Sequence, residues 1–181
     1  DHTMPLDAFG LDDNNNKTTS AEFHNMYGHF EDLATYNAWA ANNSNKRPFV
    51  LTRDMYAGTQ RYAAIWTGDS VSDWEHLQMS LPMNMNLGLS GASFVGNDIG
   101  GFAGEATPEL FARWIELGSF LPFSRIHYDG VSDRNYTQEP WSFGTNVENI
   151  SKKYIDMRYQ LLPYLYNAFN NSAKTGAPVQ Q

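Results

Sequence analysis

The sequence has no cysteine, few cations and no long apolar segment, and each absence excludes a class of protein. Without cysteine there is no disulfide framework, thiolate zinc site or thiol nucleophile. The 12 Lys and Arg residues are outnumbered by 20 Asp and Glu residues, so the formal net charge is −8. Because binding to nucleic acid rests on cations that neutralise phosphates, we expect no nucleic-acid partner. No apolar run approaches the ~20 residues of a membrane helix, so we expect no membrane partner.

Length and the first residues favour a part of a longer chain. The 181 residues can bury a sizeable core, but a complete (β/α)8 barrel typically takes about 250. The chain opens with Asp1 instead of Met, and residues 1–10 lack the basic and apolar regions of a signal peptide. We therefore expect a cut or mature piece, with its localisation, cytoplasmic or secreted, undetermined.

Helical signals occur in four segments. Apolar residues recur at three- and four-residue steps after Ser20, a plausible cap, to about residues 42–45. A second helix is expected after Ser72, and Pro82 should end or kink it. The third has the clearest signals, with Thr107 as cap, Pro108 at its first position and Gly118 as its stop.

The fourth helix is expected to be long. Thr145 and Glu148 have the spacing of a capping box, and Pro163 is expected to kink the helix that follows them. The polar segment Asp12–Ser20 is expected to be a loop. It faintly resembles a calcium loop, but Lys17 and Phe23 stand where an EF-hand needs Gly and Glu, so calcium is not favoured.

Apolar runs alternate with these helices at Pro48–Arg53, Ala63–Trp66, Ala92–Gly96 and Phe120–Arg125. They are continuously apolar, which is typical of parallel strands covered by helices, so the fold class is α/β. The residues at or just after their C-terminal ends are polar: Arg53, Asp69, Asp98 and His127. Four polar residues at that rim favour a barrel, and a doubly wound open sheet is the alternative.

Asp69 is the most suggestive candidate for a catalytic residue. It follows Trp66 and Gly68 at the end of an apolar run, and burial beside an indole would keep a carboxylic acid protonated near neutral pH. The alternative is a structural Asp that caps the helix near Ser72. Arg53 is either a surface cation or a donor for sugar hydroxyls, and His127 is either an interior histidine or a hydroxyl donor.

The glycine-rich stretch Gly96–Gly104 does not favour a phosphate site. It lacks the Lys-Ser/Thr pair of a P-loop and the spacing of a dinucleotide fold, so its glycines more simply form a turn or approach a ligand closely. No metal or other cofactor is expected, because His24 and His29 are five residues apart and lie on different helix faces. Aromatic residues near strand ends could stack on sugars or fill the core: Trp66, Phe102 and Trp141.

Taken together, six strings resemble glycoside hydrolase family 31, the α-glucosidase and α-xylosidase family. They are HNMYG (24–28), RPFVLTR (47–53), AGTQRYAAIWTGD (57–69), LPMNMNLGLSG (81–91), FVGNDIGGFAG (94–104) and RW..LG.FLPFSRIH (113–127). They occur in the family's order and spacing. The resemblance implies the C-terminal half, strands five to eight, of a (β/α)8 TIM barrel.

The resemblance also implies roles for individual residues. Asp69 matches the family's acid/base, Arg53 and His127 match residues that hydrogen-bond the nonreducing-end sugar, and Trp66 and Phe102 match its aromatic walls. Asp98 matches the Asp of the DIGGF segment, which supports the polar network of the site. Ser70 replaces an Asn that is common in relatives, which puts any helper role at that position in doubt.

The family's nucleophile, an Asp in a WxDMNEP-type string, is absent from this sequence. The resemblance therefore implies a retaining α-glucosidase whose nucleophile precedes Asp1, whose substrate is an oligosaccharide or α-glucoside, and whose partner is the first half of the barrel. Residues 1–20 would follow the nucleophile strand, 21–172 would complete the barrel, and 173–181 would lead to a β domain. An α-glucosyltransferase and an inactive carbohydrate-binding piece are the alternatives.

Overall fold

A computed structural model describes residues 4–12, 14–43, 45–130 and 136–180. By its internal contacts the chain divides into two compact units, residues 1–50 with 54–63 and residues 51–53 with 64–181. Within the described ranges, no helix combines the length and apolar character needed to cross a bilayer.

The first unit contains a hairpin and a helical segment. Strands β1 (Phe9–Leu11) and β2 (Lys17–Thr19) pair antiparallel, so the segment expected to be a loop contains a strand. Helix α1 (Ser20–Phe23) and a 3-10 turn precede helix α2 (Tyr27–Asn42). The predicted helix is therefore interrupted near its start. Ser20 is its first residue and not its cap, because the chain enters it from Thr19 in an extended conformation.

Parallel strands and helices alternate in the second unit. The strands are β3 (Leu51–Thr52), β4 (Ala64–Trp66), β5 (Val95–Gly96), β6 (Asp98–Ile99) and β7 (Arg125–Ile126). The helices are α3 (Trp74–Leu89), α4 (Pro108–Gly118) and α5 (Thr145–Thr175). Short 3-10 turns span Thr59–Arg61 in the first unit and Pro140–Phe143 in the second. All the ladders between strands β3 to β7 are parallel, as the apolar runs predicted.

One short segment of chain takes part in two ladders. In β5, Val95 lies opposite Ile65 of β4, and in β6, Asp98 lies opposite Arg125 of β7. The N–H of Phe123 also donates to the carbonyl of Val95 at 3.0 Å. Segment 94–99 is therefore bonded to β4 along its first part and to β7 along its second part. Such a stagger between neighbouring strands is what closing a sheet into a barrel requires.

The helix predictions were confirmed in one case and partly wrong in the other three, the first of which is described above. Helix α4 has the predicted start, with Thr107 Oγ1 accepting the N–H of Leu110 at 3.2 Å. Helix α3 is capped by Asp73 and not by Ser72, and it continues through Pro82 to Leu89. Proline in a helix interior removes one backbone hydrogen bond, and here the neighbouring turns maintain the helix.

The expected capping box of α5 is absent. Thr145 is the first helical residue, Gly144 precedes it as the cap, and no side chain bonds the cap. The helix then runs through Pro163 to Thr175.

The main core lies where α4 packs on the sheet. Phe111 and Trp114 are fully buried there with Ile99 of β6, and Phe111 stacks on Phe143 with ring centroids 4.4 Å apart. Val147 connects the start of α5 to the same cluster. This packing holds the strands so that their C-terminal ends reach the loops described next.

Candidate active site

Asp69 and Arg53 meet beyond the C-terminal ends of β4 and β3. Arg53 Nη1 lies 3.8 Å from Asp69 Oδ2, and the side chains are 60% and 50% exposed. The expected burial of Asp69 is wrong, because the residue lies beyond Trp66, the last strand residue, and its own side chain is exposed although Gly68 before it is buried. The alternative role as a helix cap is also excluded, since Asp73 Oδ1 accepts the N–H of His76 at 2.7 Å and caps α3.

Asp98 is a buried carboxylate. Its side chain is fully buried, and Oδ1 accepts a hydrogen bond from Arg125 Nη2 at 2.5 Å. Burial raises the pKa of the Asp98 carboxyl above its ordinary value, because desolvation outweighs the hydrogen bond and the charge of Arg125. The neighbouring charges of His127 and Asp69 lower and raise this pKa, respectively, by smaller amounts. Asp98 is therefore within the electrostatic influence of both residues.

Arg125 also lies over an aromatic ring. Its guanidinium carbon is 5.3 Å from the ring centroid of Trp66, which is a cation–π arrangement. In the described chain, Asp98 Oδ2, Arg125 Nε and Trp66 Nε1 are buried atoms without a hydrogen-bond partner. The base of the candidate site thus contains three buried polar atoms whose hydrogen-bonding capacity is not satisfied within the described residues.

Two rings lie together at the ends of the neighbouring strands. Phe102 follows β6, His127 follows β7, and their ring centroids are 5.3 Å apart with planes inclined by 34°. The third aromatic residue singled out, Trp141, lies in the 3-10 turn and is 66% exposed. Trp141 and His127 line a surface cavity of about 440 Å³.

Backbone hydrogen bonds connect the loops that carry these side chains. The carbonyl of Ser70 accepts the N–H groups of Phe102 at 2.7 Å and Ala103 at 3.0 Å. The N–H of Asp129 donates to the carbonyl of Phe102 at 2.9 Å. The loops after β4, β6 and β7 are thus held to each other next to Asp69, Phe102 and His127.

A series of buried hydrogen bonds between polar side chains connects helix α3 to the ends of β4 and β5. Asn97 Nδ2 donates to Thr67 Oγ1 at 2.5 Å, and Asn84 Nδ2 donates to Asn97 Oδ1. Asn84 also donates to the carbonyl of Ser80 at 2.7 Å within α3. Helix α3 is therefore bonded to the segments that lead into Asp69 and Asp98.

Sequence reasoning did not assign roles to Arg125 and Gln138. Arg125 had a signal, because it ends an apolar run as Arg53 does, but its partner is 27 residues away. Gln138 had no signal in the sequence, since a single glutamine in a loop belongs to no periodic pattern. Its side chain is fully buried and bonds to carbonyls of three other residues.

Within the described residues, no group of three or more His, Asp or Glu side chains is arranged to hold a metal ion. Asp12, the first residue of the calcium-like segment, uses its carboxylate to accept the N–H groups of Asn14 and Asn16. His29 bonds Thr59 Oγ1 at 2.9 Å, while His24 contacts Asn25. These side chains have local structural partners.

The staggered parallel strands, the helices between them and the polar residues at their C-terminal ends are typical of an α/β barrel, a fold whose functional residues lie at that rim. The model of the glycosyl hydrolases family 31 TIM-barrel domain matches residues 3–168. The chain therefore belongs to glycoside hydrolase family 31. This membership selects the TIM barrel over the doubly wound sheet.

Relatives in this family are much longer than this chain. The chain is 50% identical over 180 residues to alpha-glucosidase 2 of Bacillus thermoamyloliquefaciens, covering 99% of this chain and 22% of that protein. It is 44% identical over 180 residues to a probable glucan 1,3-alpha-glucosidase of Oryza sativa subsp. japonica, covering 99% and 19%. A crystal structure of a glucosidase II alpha subunit, Glc1Man2-bound, has a TM-score of 0.88 and 38% identity, covering 97% and 18%. The chain thus spans about a fifth of the length of these proteins.

Proposed function

We propose that this chain forms strands five to eight of the catalytic barrel of a retaining α-glucosidase, and that the remainder of the barrel belongs to the same enzyme. The stagger of segment 94–99 between β4 and β7 supports this arrangement. Helix α5 also exposes large apolar side chains in the described chain: Tyr159, Leu161, Leu162, Tyr164 and Tyr166. Exposed apolar faces of this kind are covered in a complete protein.

Asp69 is the proposed acid/base of the reaction. The observation that carries this role is its position: a half-exposed carboxyl beyond the C-terminal end of β4, beside Arg53 and near enough to buried Asp98 to raise the pKa of that carboxyl. In the first step its proton passes to the glycosidic oxygen as the bond to the anomeric carbon breaks. In the second step the carboxylate takes a proton from the water that attacks the glycosyl–enzyme bond.

The nucleophile of this mechanism is a carboxylate outside this chain. A retaining enzyme needs its two carboxyl groups roughly 5 to 5.5 Å apart, with both reaching the substrate. Asp98 does not suit that role, because it is fully buried and ion-paired with Arg125. We therefore assign the nucleophile to an upstream Asp, and we expect the 181-residue chain alone to be inactive.

The remaining residues would bind the terminal sugar. Arg53 presents an exposed guanidinium that can donate to sugar hydroxyls, and His127, which follows the C-terminal end of β7, can do the same. Phe102 and Trp66 would form the apolar walls, with Trp66 held by Arg125. Asp98 would maintain the orientation of Arg125 instead of touching the reacting atoms. α-Glucosidases among the relatives support a terminal α-glucosyl substrate.

Replacing Asp69 with Ala in the full-length enzyme tests this proposal. Loss of a general acid typically costs 10²- to 10⁴-fold in rate, so we expect kcat/KM for an alkyl α-glucoside to decrease by that factor. An activated aryl α-glucoside should lose less in its first step, because its leaving group needs little protonation. Added azide should then restore turnover and form an α-glucosyl azide. Unchanged hydrolysis of the alkyl substrate would refute the role.

The Asp73→Asn variant is the matched control, because Asn keeps the cap of α3 and Asp73 lies only four residues from Asp69. It should retain the activity of the unmodified enzyme.

Incubation of the full-length enzyme with maltose distinguishes an α-glucosidase from the alternative, an α-glucosyltransferase. Hydrolysis gives glucose alone, whereas transfer gives longer products.

A further inference from the structure

Gln138 occupies the centre of a closed hydrogen-bond network behind the candidate site. Its side chain is fully buried. Nε2 donates to the carbonyl of Ile99 at 2.8 Å and to that of Gly101 at 2.9 Å, and it lies 3.3 Å from the carbonyl of His127. Oε1 accepts the hydroxyl of Tyr136 at 2.7 Å. Both ends of the amide are therefore used, and the reverse orientation would place an acceptor against three carbonyls.

The carbonyls that Gln138 binds belong to the segments that carry Phe102 and His127. Ile99 ends β6, and Gly101 directly precedes Phe102. Buried carbonyls need a donor, and a side-chain amide supplies one here. The network continues on the other side, where Tyr136 Oη accepts the N–H of Ala106 at 3.0 Å.

The turn is shaped to fit this amide. Gly100 and Gly101 have φ values of 97° and 88°, a region that residues with a side chain rarely adopt. A Cβ added to Gly100 would lie within 2.4 Å of Gln138 Nε2. The two glycines thus bend the backbone around Gln138 and direct Phe102 toward His127, whose ring centroid is 5.3 Å away.

We propose that Gln138 is a positioning residue for the glycosidase reaction: it fixes the backbone on both sides of the Phe102–His127 pair and so sets how this pair holds the terminal sugar. The inference rests on the proposed function. Gln138 itself does not touch the sugar. Loss of its donors would let the two rings move, and a displacement of about 1 Å in a substrate-positioning group can cost about 10²-fold in rate.

Gln138→Glu in the full-length enzyme is the test, because it keeps the shape and replaces the amide donors by a carboxyl group. We expect kcat/KM to decrease about 10- to 100-fold, equally for alkyl and activated aryl α-glucosides. Equal losses are expected because sugar positioning does not depend on the leaving group. Asp69→Ala, in contrast, should discriminate between the two substrates, so failure of the proposed function is recognised separately.

A double-mutant cycle separates positioning from stability. If Gln138 acts through the ring pair, its substitution should cost little further activity in a His127→Ala background, so the two losses should not add. Additive losses, or a Gln138→Glu enzyme that melts at a lower temperature but retains its kcat/KM, would overturn the inference. Gln138→Asn serves if the Glu variant does not fold, since its amide is retained but falls short of the carbonyls. Gln160→Glu, the same change at an exposed position, should leave kcat/KM unchanged.

Discussion

The guanidinium of Arg125 is held between the buried carboxylate of Asp98 and the ring of Trp66. It donates to Asp98 at 2.5 Å, and its central carbon lies 5.3 Å from the Trp66 ring centroid. One cation thereby connects β7 to β6 and reaches the end of β4. The arrangement makes Arg125 both an electrostatic partner and a packing element at the base of the candidate site.

Replacing Arg125 with Ala should destabilise the protein strongly. Removing one member of a buried ion pair leaves an uncompensated carboxylate, which typically costs about 3–5 kcal/mol. Urea unfolding of the full-length protein measures this loss. Arg113→Ala is the matched control, because Arg113 pairs with Glu116 on an exposed face of α4, and we expect little change there. Equal losses of unfolding free energy for the two substitutions would show that the Arg125–Asp98 pair stabilises the protein no more than an exposed ion pair does.

The stability contribution of Asp98 should depend on pH. Its pKa is raised in the native protein from an ordinary 3.8, so the native state holds the proton more tightly than the unfolded chain. The free energy of unfolding contributed by Asp98 is therefore fully present below pH 3.8 and decreases as the pH rises through the native pKa. The Asp98→Asn variant lacks this titration.

Urea unfolding of the unmodified protein and of Asp98→Asn, from below pH 3.8 upward, checks the sign of this pH dependence. We expect the difference in unfolding free energy to move in favour of Asp98→Asn as the pH increases. Asp156→Asn, at an exposed position on α5, controls for the loss of a carboxylate. A difference that is constant with pH, or that moves the other way, would contradict the raised pKa.

Gly96 should not tolerate a side chain. A Cβ at this position would lie 2.0 Å from the carbonyl oxygen of Phe123, and backbone at the junction of β5 and β7 cannot move aside without breaking the ladders. Overpacking typically costs about 1–3 kcal/mol, and we expect Gly96→Ala to reach or exceed the upper value. Thermal unfolding and soluble yield measure the effect. At Gly10, where an added Cβ would make an ordinary 3.8 Å contact, Ala should be accepted.

Local signals predicted the elements that are determined locally. Helix α4 begins after Thr107 as expected, because cap, Pro108 and apolar spacing agree within one segment. Helix α3 was assigned a cap one residue early, since Ser72 and Asp73 both suit an N-cap and only the geometry chooses between them. Strand β6 was missed because its two residues are defined by pairing with β7 and not by their own composition.

The same distinction applies to the candidate site. The structure places Arg53 beside Asp69 and puts Asp98 under the electrostatic influence of Asp69 and His127, whereas the catalytic roles of these residues stay predictions. The burial expected for Asp69 was wrong, because a neighbouring tryptophan in sequence does not determine what covers the carboxyl group. Gln138 could not be predicted, since the carbonyls that its side chain binds are 11 to 39 residues away.

The pairing of segment 94–99 with both β4 and β7 restricts where this part of the chain can change in length. Only Asn97 separates the residues bonded to β4 from those bonded to β7, so a deletion or insertion at that point would turn Asp98 to the opposite face. Arg125 would then lose its carboxylate, and the turn around Gln138 would move out of register. Natural variation in length should therefore be confined to the outer connections, while the spacing from Val95 to Ile99 stays invariant.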